Sequence, residues 1–171
     1  MNTGQKKQHV DFHRKLLLRK ALYSKALPGA AYVPFIGDGD IAVALYASRA
    51  IYGADLDKER VQIARDRLPS ADIRIADCDK WPFSDVTETF AIADLDAYSN
   101  PYKSLVWFWL MAKKAKRVVI FGTDGLRQSI KRSKVAKELP SGKGTATDIT
   151  TVRKQYNFWW RRYVLPFIEK T

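Results

Sequence analysis

Between residues 30 and 122 the chain alternates short apolar runs with stretches of helical period. Ala31-Tyr32-Val33-Pro34-Phe35-Ile36 is a bounded apolar run and predicts a strand. Residues 50–54, 72–76, 89–93 and 117–121 predict four more, closing on Asp55, Asp77, Asp94 and Gly122. Between them, residues 41–48 and 102–115 read as helices. So does a segment capped by Asp57 that carries Val61, Ile63, Ala64 and Leu68 and stops at Pro69. Upstream, Phe12, Leu16, Leu17, Tyr23 and Leu27 recur at near-helical spacing, with Arg14, Lys15, Arg19 and Lys20 among them. Pro28-Gly29 ends that helix, and residues 1–10 read as loosely held.

Strands alternating with helices predict an α/β fold, a mostly parallel sheet with helices on both faces. In such sheets a ligand lies beyond the carboxyl ends of the strands. Here those ends carry glycines and aspartates.

The last third of the chain changes character. Residues 124–134 predict a basic helix, and residues 138–147, with Pro140-Ser141-Gly142-Lys143-Gly144, a loop. Asp148 can cap a final helix whose apolar positions, Ile149, Val152, Tyr156, Trp159, Trp160, Tyr163 and Phe167, keep the 3.6-residue period, with Pro166 expected to kink or end it. That spacing assigns Trp159, Trp160 and Tyr163 to a core or to an interface between copies, with base stacking as the alternative.

Composition narrows the class. The 171 residues make one domain, 46% hydrophobic, with Cys78 as the one cysteine, which excludes a disulfide framework or a Cys-rich zinc site. His9 and His13 have no carboxylate at matching spacing, so no metal is expected. No apolar run approaches the ~20 residues of a membrane helix, and the polar, basic N-terminus has no apolar signal region. The expectation is a soluble cytoplasmic domain: a basic helix over 1–29, a ligand-binding core over 30–125 and a basic extension over 126–171.

The net charge of +12 is uneven: residues 1–30 hold seven Lys/Arg against one acid, 31–112 eight against thirteen, and 113–171 fifteen against four. An acidic middle between basic ends suits a polyanionic partner held by the ends, or a merely solvated cationic surface. Lys113, Lys114, Lys116, Arg117, Arg127, Lys131, Arg132 and Lys134 are the candidate phosphate contacts.

Gly37-x-Gly39-x-x-Ala42 follows a strand and opens a helix, with Asp55 at the next strand end. This fits a dinucleotide fingerprint, in which glycines let the backbone approach the ligand and the acid binds ribose hydroxyls. Asp38 and Asp40, however, would repel a pyrophosphate at that helix N-terminus. A cofactor with a sulfonium and an ammonium, S-adenosylmethionine, meets no such penalty.

Val33-Pro34-Phe35-Ile36-Gly37-Asp38-Gly39 resembles the glycine motif of class I S-adenosylmethionine-dependent methyltransferases, especially the D/E-P-F-x-G-x-G form of amino-methylating DNA enzymes, with Val33 in place of the leading acid. The resemblance implies a Rossmann-like fold and covers roughly residues 30–125; the usual C-terminal strand hairpin is not evident. It places Ile36, Gly37, Asp38 and Gly39 around the cofactor, Asp55 on the ribose, Leu56 beside the adenine, and Asp77-Cys78 near the adenine amino group. For Asp77 and Asp79 the competing reading is capping of a turn.

Asp94-Leu95-Asp96-Ala97-Tyr98-Ser99-Asn100-Pro101-Tyr102 most resembles the D-L-D-P-F/Y-G-S/T-P motif of the tRNA guanine-N2 dimethyltransferase family, with Ala97, Ser99 and Asn100 departing. It is also similar to the D/N/S-P-P-Y motif of amino methyltransferases. An exocyclic amine is a poor nucleophile because its lone pair is delocalised. Oxygen acceptors on its N–H groups localise that lone pair, and positioning supplies most of the catalysis. Asp96 is the expected acceptor, with Asn100 as the alternative. Tyr98 would stack on the base, Pro101 shapes the turn, and Asp94 is structural or touches the methionine end. The expected function is methyl transfer to an exocyclic amine of an RNA or DNA base, held by the basic ends, with a second copy a possible contributor. The rivals are a non-catalytic nucleic-acid binder on the same scaffold and a nicotinamide-dependent oxidoreductase.

Overall fold

The structure, a computed structural model, describes residues 12–97 and 101–123. Five strands, β1 (Ala30–Pro34), β2 (Ile51–Asp55), β3 (Asp72–Ile75), β4 (Phe90–Leu95) and β5 (Lys114–Gly122), form one sheet in the order β3-β2-β1-β4-β5. Every neighbouring pair is parallel. The order reverses between β1 and β4, so a crevice opens where the loops leaving those strands diverge. The described residues show the expected α/β, Rossmann-like sheet.

Side chains alternate across the sheet and separate two cores. Ala31, Val33, Ile51, Ile73 and Ile92 face α1 (Phe12–Tyr23), α2 (Asp40–Leu45) and α3 (Lys58–Arg67). On α3, Val61 and Ala64 are buried and Ile63 is exposed, so Ile63 leaves the predicted stripe. Ala30, Tyr32, Phe90 and Leu95 face α4 (Tyr102–Met111), whose Tyr102, Leu105 and Phe108 return at helical spacing. No α-helix joins β3 to β4; two single-turn 3-10 helices, Cys78–Lys80 and Phe83–Asp85, take its place. Trp81 and Phe83 fill the missing layer, and Tyr32 stacks on Phe108 with ring centroids 5.5 Å apart.

Several boundaries differ from the sequence reading. The first strand stops at Pro34, because Phe35 takes φ 64°, a left-handed conformation that breaks the ladder. Helix α1 ends at Tyr23 rather than at Leu27, and Leu17 points outward. Helix α4 ends at Met111, and β5 begins at Lys114, three residues before the predicted start. Its early part is an irregular edge: Phe90 pairs with Lys114, but Ile92 pairs with Val119. Residues 1–10 and the segment over 126–171, including the predicted final helix with Trp159, Trp160 and Tyr163, lie outside the described residues. So do Arg127, Lys131, Arg132 and Lys134. Among the described residues no helix is long and apolar enough to cross a membrane.

Candidate functional site

The loop leaving β1 is built for close approach. Gly37 and Gly39 take φ 54° and 78°, which a β-carbon disfavours. A β-carbon on Gly39 would also lie 3.3 Å from that of Ala64, so this glycine lets α2 start against α3. Ile36 packs over Gly53, where a β-carbon would come within 2.6 Å of Ile36 Cδ1. The Asp55 carboxylate, half-buried at the end of β2, accepts the Gly37 N–H at 3.0 Å and the Asp57 N–H at 3.0 Å. Both oxygens keep a further acceptor site, and the carboxylate is oriented before any ligand arrives. Leu56 stands exposed beside it, an apolar wall at the mouth of the crevice. Asp57 caps α3 by accepting from the N–H groups of Glu59 and Arg60, as the sequence predicts.

The two acids between and after the glycines differ. Asp40 turns toward α3, where Arg67 Nη1 donates to it at 2.6 Å and to the Asp38 carbonyl at 2.8 Å. Asp38 lies 4.0 Å from Arg60 Nε. A pyrophosphate would be repelled less by Asp40 than the sequence suggests, because that charge is matched by Arg67.

At the end of β3, Asp77 caps the first 3-10 turn, accepting from the Asp79 N–H at 3.0 Å, with Lys80 at 3.6 Å. Asp79 accepts from the Ser104 hydroxyl and lies 3.2 Å from Lys103, joining this turn to α4. Capping describes Asp77, which keeps a half-exposed second oxygen, whereas Asp79 ties the turn to α4 through side chains. Cys78 is buried; its Sγ accepts the Phe35 N–H at 3.3 Å, and burial pushes its thiol up to about 12. Its side chain therefore supports the strained Phe35 from below.

The acids leaving β4 are engaged by α1. Asp94 is 1% exposed. The Arg19 guanidinium grips it with two bonds of 2.7 Å, and the Tyr46 hydroxyl adds one of 2.8 Å. Burial pushes the Asp94 carboxyl above its ordinary value, while the Arg19 and Tyr46 bonds pull it down. With three donors on it inside the core, Asp94 takes the structural one of its two predicted roles. Asp96 is more open: Lys15 Nζ approaches its oxygens at 2.7 and 3.0 Å, and Thr123 donates to it from the end of β5. Pro101 is buried at the start of α4, its carbonyl accepting the Leu105 N–H at 2.9 Å. Tyr98 and Asn100 lie outside the described residues. The sequence reading missed Arg19, Lys15, Tyr46 and Thr123 as neighbours of this edge. One signal was available: Arg19 sits on the line Phe12, Leu16, Tyr23, where a buried helix face demands a partner for any charge.

Among the described residues no cluster of three or more side chains is able to hold a metal. No protein-family model matches the chain, and no curated protein matches it. Solved structures do. One is the plantazolicin methyltransferase BpumL in complex with a pentazolic desmethylPZN analog and SAH: 16% identity, 76% of this chain and 55% of that one, TM-score 0.54. Another is the plantazolicin methyltransferase BamL in complex with a triazolic desmethylPZN analog and SAH: 14% identity, 73% and 52%, TM-score 0.52. A third is a TehB-like SAM-dependent methyltransferase from Corynebacterium glutamicum: 16% identity, 58% and 56%, TM-score 0.44. The chain spans about half the length of these structures. Sheet order, glycine loop and the similarity to the two plantazolicin enzymes together establish a Rossmann-like fold of the kind found in S-adenosylmethionine-dependent methyltransferases.

Proposed function

We propose that the chain binds S-adenosylmethionine at the carboxyl edge of its sheet and transfers the methyl group to an exocyclic amine of a nucleic acid base, in tRNA, another RNA or DNA. The observation that carries this reading is the oriented Asp55 carboxylate beneath the left-handed Gly37–Gly39 turn. Residues 36–39 would line the methionine and ribose side, Asp55 would accept from the ribose hydroxyls, and Leu56 and Asp77 would border the adenine. When bound, the cofactor supplies a methyl group already activated on a sulfonium. The residues fit it: the glycine turn lets a ligand approach the backbone, and the Asp55 carboxylate is already oriented by the Gly37 and Asp57 N–H groups.

On the acceptor side Asp96 would take an N–H of the incoming amine, which requires that amine to compete with Lys15. Isothermal calorimetry with S-adenosylhomocysteine and with NAD separates the cofactor classes; heat from NAD alone would refute the proposal. Labelled methyl transfer to tRNA and DNA then tests the substrate, and Asp96→Ala is expected to abolish it. A second reading, a nucleic-acid binder without catalysis, is favoured by the engagement of Asp96 with Lys15 and Thr123. It predicts cofactor heat without any transfer.

A further inference from the structure

The two carboxylates that α1 engages at the end of β4 are filled to different degrees. Asp94 is saturated: Arg19 takes both its oxygens and Tyr46 adds a third bond. Asp96 is not. Its Oδ1 accepts from Lys15 Nζ at 2.7 Å and from the Thr123 hydroxyl. Its Oδ2 accepts, among the described residues, from Lys15 alone at 3.0 Å, with Arg19 Nη2 3.7 Å away. A carboxylate oxygen has two acceptor places, so one place on Oδ2 stays open on a side chain that is 20% exposed. An incoming amine therefore meets Lys15 only at Oδ2, and Lys15 keeps its shorter bond to Oδ1. The cluster is already balanced, with Asp94 and Asp96 facing Arg19 and Lys15. Arg19 is fixed in it, because it is buried and its Nη1 also donates to the Lys15 carbonyl at 3.3 Å.

We propose that Lys15 is a specificity-determining residue: it lets Asp96 receive an uncharged amine and turns an ammonium away. This rests on the methyl-transfer reading above and narrows its acceptors to amines that are neutral near pH 7, as the delocalised exocyclic amines of bases are. An ammonium bonded to Oδ2 would stand beside both Lys15 Nζ and Arg19 Nη2, at 3.0 and 3.7 Å from that oxygen. Like charges about 4 Å apart weaken binding about fivefold even at the dielectric of water, and by more in a part-buried site. A neutral N–H donor meets no such repulsion and leaves both ion pairs intact. Aliphatic amines, lysine side chains and polyamines among them, are excluded by charge rather than by size. An arginine at position 15 should therefore keep the selectivity, and an uncharged side chain of similar length should lose it.

The test compares aniline with benzylamine, which share a ring but are neutral and cationic, respectively, at pH 7. Each is titrated into the isotope-labelled full chain in the presence of S-adenosylhomocysteine, and the amide shifts of Asp96 and Thr123 are followed by NMR. The parent should bind aniline more tightly than benzylamine. Lys15→Met should raise the affinity for benzylamine relative to aniline by about tenfold, and Lys15→Arg should keep the parental ratio. Benzylamine bound by the parent as tightly as aniline overturns the proposal. So does an equal response of both amines to Lys15→Met, or a Lys15→Arg variant that behaves like Lys15→Met. Absence of shifts with either amine in all three proteins overturns it as well, because Asp96 then offers no place for an amine. The heat of S-adenosylhomocysteine binding is measured on the same proteins. Charge selectivity without that heat would keep the role of Lys15 and remove the methyltransferase reading; heat without selectivity would do the reverse.

Discussion

Arg19 and Lys15 sit one helical turn apart and meet carboxylates two residues apart, yet their environments make them unequal. Arg19 and Asp94 are both within the core, at 3% and 1% exposure, whereas Lys15 and Asp96 keep 32% and 20%. Removing one member of a buried pair leaves an uncompensated charge, so Arg19→Met should cost about 3–5 kcal/mol. Lys15→Met should cost at most about 1 kcal/mol, as a screened surface pair does. Urea denaturation of the two variants checks the contrast. In Arg19→Met the Asp94 carboxyl loses the partner that lowers it and titrates well above its unfolded value, so the native state binds the extra proton. Stability of that variant should then rise as pH falls from 7 towards 4, and its deficit against the parent should shrink. A constant deficit over that range would show that Asp94 stays charged without Arg19. Cys78 carries the opposite end of the scale. With its thiol raised to about 12 by burial, the unfolded chain sheds a proton above about pH 8.5 that the native one keeps. Stability should decline from pH 8.5 to 10 by up to about 1.4 kcal/mol per unit from this thiol, and Cys78→Ala should lessen the decline, leaving the part near pH 10 that comes from Tyr32, Tyr46 and Tyr52, which burial also raises.

The elements that hold the crevice were the most legible ones, because their constraints are local. A strand, a glycine turn, a helix start and an acid on the next strand repeat a short-range pattern that any ligand-binding α/β unit must satisfy. Gly39 combines a left-handed φ of 78° with a 3.3 Å approach to the Ala64 β-carbon. Gly39→Ala should therefore destabilise the chain by about 1–2 kcal/mol and weaken S-adenosylhomocysteine binding in calorimetry; a wild-type melting curve would show that the loop relaxes freely. Element ends were less legible. Phe35 is an apolar residue within an apolar run, and nothing local marks it as left-handed. What holds it there is the Cys78 thiol, 43 residues away. Helix α1 reads as a basic arm, but its Arg19 and Lys15 are committed internally, which leaves Arg14 and Lys20 on its outer face.

Across the described sheet, Asp38, Asp57, Asp77, Asp79 and Asp96 at the carboxyl edge each lie beside a cation, whereas Asp55 is held by backbone N–H groups. That difference has a consequence for cofactor binding. S-Adenosylmethionine carries one more positive charge than S-adenosylhomocysteine, and the crevice presents carboxylates. Raising ionic strength should weaken the former more than the latter, because screening removes only the interaction with the extra charge; parallel calorimetric titrations at two salt concentrations measure it. Periodicity and backbone freedom are local properties, so the alternation of strands and helices, the parallel sheet, the Gly37–Gly39 turn and the position of Asp55 follow from the order of residues alone. The surroundings of Asp94 and Asp96 do not. Their partners Arg19 and Lys15 lie 75 and 81 residues earlier in the chain. Such pairs arise from the packing of a helix across a sheet, and no spacing along the chain encodes them. The same holds for the loops entering the strands: Arg49 reaches the carbonyls of Leu27 and Gly29, and Arg117 that of Lys25, because parallel strands bring their entry loops to one side.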